Sequence, residues 1–137
     1  MIAATRIALS AGVLYFLISN TLGLLLGTGT VSPSWRPAHA HLNLLGFVAM
    51  MIYGVAYHAL PRFRGVPMRR PHLALGQVVL ANVGLIGMAL TWGLRWDAAA
   101  FALWGGLSWL ASVLFVALMM EVLWRPRPAI PSGGRLR

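Results

Sequence analysis

Four long apolar runs divide this chain, and they restrict it to a helical fold that crosses a membrane. The runs extend over about 6–28, 37–60, 72–94 and 97–124, and each exceeds the roughly twenty residues that a bilayer-spanning helix needs. Only 9% of the residues are charged, whereas a soluble domain carries about a quarter. So few charges cannot cover a surface that faces water. The sequence therefore predicts an all-α protein with four transmembrane helices.

The rest of the chain consists of short links and a basic tail, so we predict one domain. That four-helix transmembrane domain covers 1–124, and the tail over 125–137 holds three prolines and four arginines. Such a composition is typical of disorder, and its charge favours contact with anionic lipid. The first run begins near Arg6, as a signal peptide would, but it is long and no small-residue cleavage site follows it promptly. We therefore predict that it remains as a helix.

The distribution of the arginines predicts the orientation in the membrane. The chain has eleven arginines, and its only acidic residues are Asp97 and Glu121. Nine arginines fall on one side of the four predicted spans, and only Arg36 and Arg95 fall on the other. The positive-inside rule then predicts a multi-pass protein of a bacterial-type inner (plasma) membrane with both termini cytoplasmic. Because the arginines flank apolar runs and no aromatic-basic module accompanies them, we expect no nucleic-acid partner.

Two histidines, His39 and His41, lie near the outer end of the second run. Ionisable side chains within a membrane segment are costly and are usually functional. Imidazole is the commonest metal ligand and a standard axial ligand of haem iron. Since the chain has no cysteine, a metal would have to bind His, Met, Asp or Glu. His39 and His41 are therefore the candidate metal ligands.

The spacing of the two histidines separates their side chains around the helix. Residues two apart point roughly 200° apart, so His39 and His41 cannot chelate one ion from the same helix. Ligands on opposite flanks suit a helix that lies between two cofactor sites, and in a cyclic oligomer each neighbour supplies half of a site. The alternative is that both histidines are interfacial polar residues bonded to backbone or water.

The residues around the histidines resemble a family of membrane enzymes. His41-Leu-Asn-Leu-Leu45, followed by Gly54-Val-Ala-Tyr-His-Ala-Leu-Pro61, is similar to the second helix of the catalytic subunit (subunit I) of haem–copper oxidases and nitric oxide reductases. His39-Ala-His41 also resembles the His-x-His on the tenth helix of that subunit. The resemblance is specific in this run and only architectural elsewhere. In the family, the matching histidines are axial ligands of haem.

The resemblance implies a haem, of type b, and a homotrimer. The family subunit has twelve helices in three arcs of four, so this chain looks like one arc, and three copies would rebuild the ring. One haem would lie between His41 of one chain and His39 or His41 of the next. Arg36 and Arg95 would pair with the haem propionates, unless they only flank the membrane. Asn43 would support a ligand histidine or make a polar contact between helices.

The sequence departs from the family at the copper site. No His-x-x-x-Tyr occurs, and the other histidines, His58 and His72, lie toward the opposite membrane face. We therefore expect no copper and predict a membrane-embedded b-type haem protein that transfers electrons or binds a gas, with a donor protein or quinol as its redox partner. Whether the chain is an enzyme stays open. The alternatives are a minimal nitric oxide or oxygen reductase with an additional metal, and a cofactor-free membrane assembly subunit.

Overall fold

Four long helices account for most of residues 1–126, the part of the chain that the computed structural model describes. Their bounds are α1 Ala3–Gly27, α2 Pro33–Arg64, α3 Pro71–Gly93 and α4 Ala98–Trp124. Each helix is long and apolar enough to cross a membrane, which confirms the predicted all-α fold with four candidate spans. The predicted basic tail covers 125–137, and its residues 127–137 lie outside the described residues.

Helix α2 is longer at both ends than the predicted run over 37–60. It begins with a 3-10 turn, Pro33–Trp35, for which Ser32 is the N-cap. Proline fits the first turn of a helix because its missing N–H would have had no partner there. At the other end the helix continues past Pro61 and stops at Gly65, whose φ of 66° is the left-handed conformation that ends many helices. Neither proline therefore breaks this helix.

The middle of α2 is wound more widely than its two ends. Residues Leu42–Ala49 are π-helical, between the α-helical segments Arg36–His41 and Met50–Arg64. A π-helical segment carries i→i+5 hydrogen bonds, so it changes the angle between the residues before it and those after it. Such segments are frequent at functional sites, and this one begins directly after His41.

Successive helices run antiparallel, so the bundle has two distinct ends. We call them the histidine end, where α1 and α3 finish, and the basic end, where α2 and α4 finish. Glycines on one helix accommodate side chains of the other along the contact between α1 and α2: Gly54 faces Leu9, Gly46 faces Tyr15 and Gly23 faces His39. Small residues of this kind permit the close approach on which membrane helices depend for packing.

Helix α3 is the most enclosed of the four. In its most apolar stretch 50% of the residues are buried, against 17%, 28% and 22% in α1, α2 and α4. Two glycines bring it close to α4. A Cβ added at Gly84 would lie 2.7 Å from the backbone nitrogen of Ser108, and one added at Gly87 would overlap the ring of Trp104. The α3–α4 contact therefore tolerates no larger side chain at these two positions.

Polar side chains inside the bundle pair across helices. Tyr15 of α1 donates a hydrogen bond to Oδ1 of Asn82 on α3 at 2.8 Å, and Tyr57 of α2 donates to Oε1 of Gln77 on α3 at 2.9 Å. A polar group within a bilayer has to find its partner inside the protein, because hydrocarbon offers none. These bonds therefore help to fix the depths of α1 and α2 relative to α3.

At the basic end, one arginine ties the link between α2 and α3 to the end of α4. Arg125 forms an i,i+4 ion pair with Glu121, with 2.6 Å between Nη2 and Oε1. It also donates to the carbonyl oxygen of Pro67 at 2.7 Å, while Arg64 donates to the carbonyl oxygen of Arg125 at 3.0 Å. The link is thereby held against the bundle.

Candidate functional site

His39 lies against α1, where hydrogen bonds join it to Ser19. Its Nδ1–H donates to the carbonyl oxygen of Ser19 at 2.9 Å, and the hydroxyl of Ser19 donates to the carbonyl oxygen of His39 at 3.0 Å. Ser19 is 0% exposed, so bulk water does not compete for these bonds. The network assigns the ring proton to Nδ1 and leaves a lone pair on Nε2.

Two further groups close around the ring of His39. A Cβ added at Gly23 would lie 2.7 Å from Cε1 of His39, so the ring fills the space that a side chain would occupy. Nδ2 of Asn43 lies 3.5 Å from Nε2 of His39, at the outer limit of a hydrogen bond. Asn43 is therefore placed beside a candidate ligand histidine of its own helix.

His41 lies on the opposite flank of α2, against α3. Its Nδ1–H donates to the carbonyl oxygen of Pro37, one turn earlier, at 2.9 Å. Its ring packs on Trp92, with 4.4 Å between the ring centroids and 44° between the planes. The two histidines thus point apart as their spacing predicts, His39 toward α1 and His41 toward α3. They do not form one site within a single chain.

The Nε2 atom of His41 is available for coordination. The hydrogen bond at Nδ1 assigns the proton to that nitrogen and leaves a lone pair on Nε2. Within residues 1–126 this Nε2 atom has no hydrogen-bond partner. Metal-ligating histidines almost always donate their other ring N–H to a carboxylate, a backbone carbonyl or water. His41 therefore has the hydrogen bonding of a metal-ligating imidazole.

His41 borders a shallow groove between α2, α3 and α4. The groove has a volume of about 380 Å³ and is predominantly apolar. Its other lining residues are Leu45, Met88, Phe101, Gly105, Ser108, Trp109 and Ser112. On the α4 wall, three of these residues have small side chains, Gly105, Ser108 and Ser112, and the other two carry the rings of Phe101 and Trp109. A planar apolar group could approach the imidazole along this wall.

Arg36 and Arg95 lie at the histidine end, at the first α-helical turn of α2 and just beyond α3. Within the described residues neither forms an ion pair. Arg95 has a φ of 56°, the one positive φ among the non-glycine residues 1–126, at a position after a helix where glycine is usual. It lines a cavity of about 450 Å³ with Trp92 and Phe101, and Phe101 also lines the groove of His41. Arg95 therefore belongs to the surface next to that groove.

The structure does not bring the remaining histidines to this site. His58 lies in the basic half of α2, and His72 lies in the first turn of α3, also at the basic end. In the part of the chain that the structure describes, no group of three or more His, Cys, Asp or Glu side chains could hold a metal ion. A metal centre with three such ligands is therefore not formed within residues 1–126 of one chain.

Sequence reasoning missed two residues that hold the histidines. Ser19 bonds His39, and Trp92 packs on His41. Gly23, one turn after Ser19, is a signal that could have located the first contact, because a small residue on one helix often faces a large ring on another. Trp92 carries no comparable signal, since tryptophan is common at membrane interfaces for other reasons.

No protein-family model, curated protein or solved structure matches this chain. The candidate site therefore has to be interpreted from its own residues, namely the two histidines, their hydrogen bonds and the adjoining groove.

Proposed function

We propose that this chain is a membrane-embedded b-type haem protein, related to haem–copper oxidase subunit I, with His41 as an axial ligand of the iron. One observation carries the proposal. The Nδ1–H of His41 is held by a backbone carbonyl, while its Nε2 has no partner within residues 1–126 and its ring borders a groove. An imidazole held in this way can bind iron without giving up a hydrogen bond. When bound, haem supplies a one-electron iron centre and, with an open axial position, a site for a gas.

The second axial ligand would come from another copy of the chain. Because His39 and His41 lie on opposite flanks of α2, a ring of identical chains can bring a histidine of one copy toward the His41 groove of the next. The groove also exposes Trp109, 68% of which is accessible near the middle of the 27-residue helix α4. Tryptophan favours membrane interfaces, so a neighbouring chain over this face would account for an exposed ring at mid-depth. These observations favour a cyclic oligomer, and we propose a homotrimer because three copies would rebuild the twelve-helix ring of the family that the chain resembles.

Arg95 and Arg36 would bind the haem propionates, which favour charge-assisted hydrogen bonds from guanidinium groups. Arg95 keeps a left-handed backbone where glycine would be unstrained, which supports a use for its side chain. The concentration of arginine at the basic end favours that end for the cytoplasm. The haem would then lie toward the outer face of a bacterial-type inner membrane and exchange electrons with a donor protein or quinol.

The absorption spectrum of the purified full-length chain tests the ligand assignment. We expect the sharp reduced α bands of six-coordinate haem in the wild type and loss of nearly all haem in His41→Ala. His58→Ala is the matched control, because it removes a histidine from the same helix at the basic end. Its haem content should equal that of the wild type. Full haem occupancy in His41→Ala would contradict the proposal.

Carbon monoxide added to the reduced protein separates electron transfer from gas binding. Haem with two imidazole ligands has no open position, so its spectrum should not change. A shifted spectrum would show an open axial position, and the chain would then bind a gas or act on one.

A cofactor-free structural subunit is the second candidate, and the surroundings of His39 favour it. Both ring nitrogens of His39 have protein contacts, Nδ1 with Ser19 and Nε2 with Asn43. A histidine used in this way joins two helices without any ligand. Under this second function the purified chain is colourless, and His39→Ala lowers the midpoint of thermal unfolding more than His41→Ala does.

A further inference from the structure

An exposed asparagine lies inside the membrane-spanning part of α1, at the edge where α1 adjoins α2. Arg6, in the first turn of α1, marks the membrane interface at the basic end, because a charged side chain is costly at greater depth. Asn20 is exposed and lies about 21 Å further along the helix, within a hydrocarbon layer that is about 30 Å thick. One turn before it, Phe16 packs on Phe47 of α2 with 4.7 Å between the ring centroids. The carboxamide of Asn20 therefore lies at the α1–α2 edge, at the depth of the lipid hydrocarbon.

The carboxamide of Asn20 has more hydrogen-bonding groups than its own helix uses. Its Nδ2 donates to the carbonyl oxygen of Phe16 at 2.7 Å, which leaves Oδ1 and a second N–H without a partner in residues 1–126. The next residue, Thr21, shows the contrast, because its hydroxyl donates its only proton to the carbonyl oxygen of Leu17 at 2.9 Å. Lipid hydrocarbon offers neither a donor nor an acceptor, so an amide in this position favours a partner on another protein chain.

A complementary donor lies on the other side of α2. Trp109 of α4 is exposed beside the groove of His41, and its indole N–H, which can only donate, has no acceptor within residues 1–126. Counted from the basic end, Trp109 lies 15 residues before the end of α4 at Trp124, and Asn20 lies 17 residues after the start of α1 at Ala3. Their depths thus differ by about 3 Å. Because α1 packs mainly on α2 and α4 packs mainly on α3, the two residues lie on different flanks of the chain.

We infer that neighbouring copies of the chain meet through these residues, with Oδ1 of Asn20 in one copy accepting a hydrogen bond from the indole N–H of Trp109 in the next. Because the two faces differ, the contact is heterologous, and a ring about an axis along the membrane normal keeps both residues at their own depths in every copy. Asn20 directly follows Ser19, the residue that bonds His39. The contact therefore brings the His39 flank of one copy to the His41 groove of the next. The inference rests on the ring of the proposed function and does not depend on haem.

Disulfide cross-linking tests the contact in the full-length chain, which contains no cysteine of its own. Val13 and Val116 are exposed, and they lie two turns toward the basic end from Asn20 and Trp109 respectively, on the same two faces. After oxidation of membranes with copper phenanthroline, Val13→Cys/Val116→Cys should form interchain disulfides and run as dimers and trimers on non-reducing gels. Because unlike positions meet, neither single variant should cross-link. A dimer of Val13→Cys alone would overturn the inference.

Val13→Cys/Val79→Cys is the matched control for the cross-link. Val79 is exposed on α3 and lies eight residues after the start of that helix at Pro71. It is therefore as far from the basic end as Val116, which lies eight residues before Trp124. Since Val79 belongs to neither face, this pair should remain monomeric on the same gels. Equal cross-linking of the two pairs would show collision without a specific contact and would overturn the inference.

Removal of the hydrogen bond gives a second test. Asn20→Leu or Trp109→Phe should weaken the association of copies in detergent, measured by analytical ultracentrifugation, by roughly 3- to 20-fold, as expected for a hydrogen bond between membrane helices. Thr21→Val is the control, because the hydroxyl of Thr21 is bonded within α1. Its association should equal that of the wild type. Wild-type association in both Asn20→Leu and Trp109→Phe would contradict the contact.

The haem content of the same samples separates this inference from the proposed function. Trimers that carry haem but form no cross-link between positions 13 and 116 would overturn the contact and leave the proposed function standing. Specific cross-links in a colourless chain would support the contact and contradict the binding of haem.

Discussion

The position of the His39 ring depends on a glycine. A Cβ at Gly23 would lie 2.7 Å from Cε1 and 3.3 Å from Nδ1 of His39. Gly23→Ala should therefore displace the ring and weaken its hydrogen bond to Ser19. We expect the free energy of unfolding to fall by about 1–3 kcal/mol from this crowding, less the ~1 kcal/mol that alanine gains over glycine in a helix. Denaturant unfolding of the purified chain measures the net change.

Gly27→Ala is the matched control for that change. Gly27 is the last residue of the same helix, and a Cβ added there has nothing within 4 Å. The control should be as stable as the wild type or more stable, since alanine favours the helix and meets no obstacle. Equal stability of the Gly23 and Gly27 variants would show that the fit between His39 and α1 contributes nothing.

For single residues, the sequence identifies the histidines but not what holds them. The angle between His39 and His41 follows from helix geometry alone, so it could be predicted. The pairing of His39 with Ser19 depends on which face of α1 meets α2 and in what register. The lone pair of His41 lies on Nε2 because the Nδ1–H donates to the carbonyl oxygen of Pro37. No periodic pattern in the sequence predicts that hydrogen bond. The availability of a ligand atom is thus a property of the folded chain.

At the scale of a helix, the π-helical segment of α2 sets the direction in which His41 faces. Removal of one residue turns the preceding part of a helix relative to the following part, by about 100° in an α-helix and by less in a π-helical segment. Deletion of Leu44, within Leu42–Ala49, should shorten the wide segment and rotate His41 away from Trp92. On the proposed function, we expect this deletion to abolish haem binding while helix content by circular dichroism stays close to that of the wild type.

Leu44→Ala is the control for the deletion, because the side chain of Leu44 is 61% exposed and its truncation leaves the length of the segment unchanged. The substituted chain should keep its haem. A deletion variant that also keeps its full haem spectrum would show that the π-helical segment does not orient the ligand.

The sequence predicts the four helices, but it does not predict the ends of α2 or the winding within that helix. Bilayer thickness demands a minimum apolar length, and that length is visible in the sequence. The ends of α2 depend on local turn chemistry, so Pro33 and Pro61 fall inside a helix whose predicted run began after the first and ended before the second. The π-helical winding of Leu42–Ala49 could not be predicted, because these residues lie within the single apolar run over 37–60 and nothing in that run marks a change of winding.

At the scale of the whole molecule, composition predicts a membrane protein but does not show which faces meet lipid. Apolar side chains cover the outside of the bundle, and lipid or another protein chain would satisfy them equally. An exposed residue is informative only when its type is unusual for its depth, as with Trp109. The assembly therefore has to be tested through the site that it would complete.

Mixing two defective chains tests whether neighbouring copies share the haem. If each haem lies between His41 of one copy and His39 of the next, neither a His39→Ala trimer nor a His41→Ala trimer retains a complete site. In a mixed trimer of the two variants, one junction pairs an intact His41 with an intact His39, whatever the order of the chains in the ring. Native mass spectrometry of the co-expressed chains should then find one haem per mixed trimer and three per wild-type trimer. Haem retained by the His39→Ala chain alone would exclude His39 as the second ligand. A monomer that carries its own haem would exclude a shared site, because a single chain holds His39 and His41 on opposite flanks of one helix and cannot bind one iron with both.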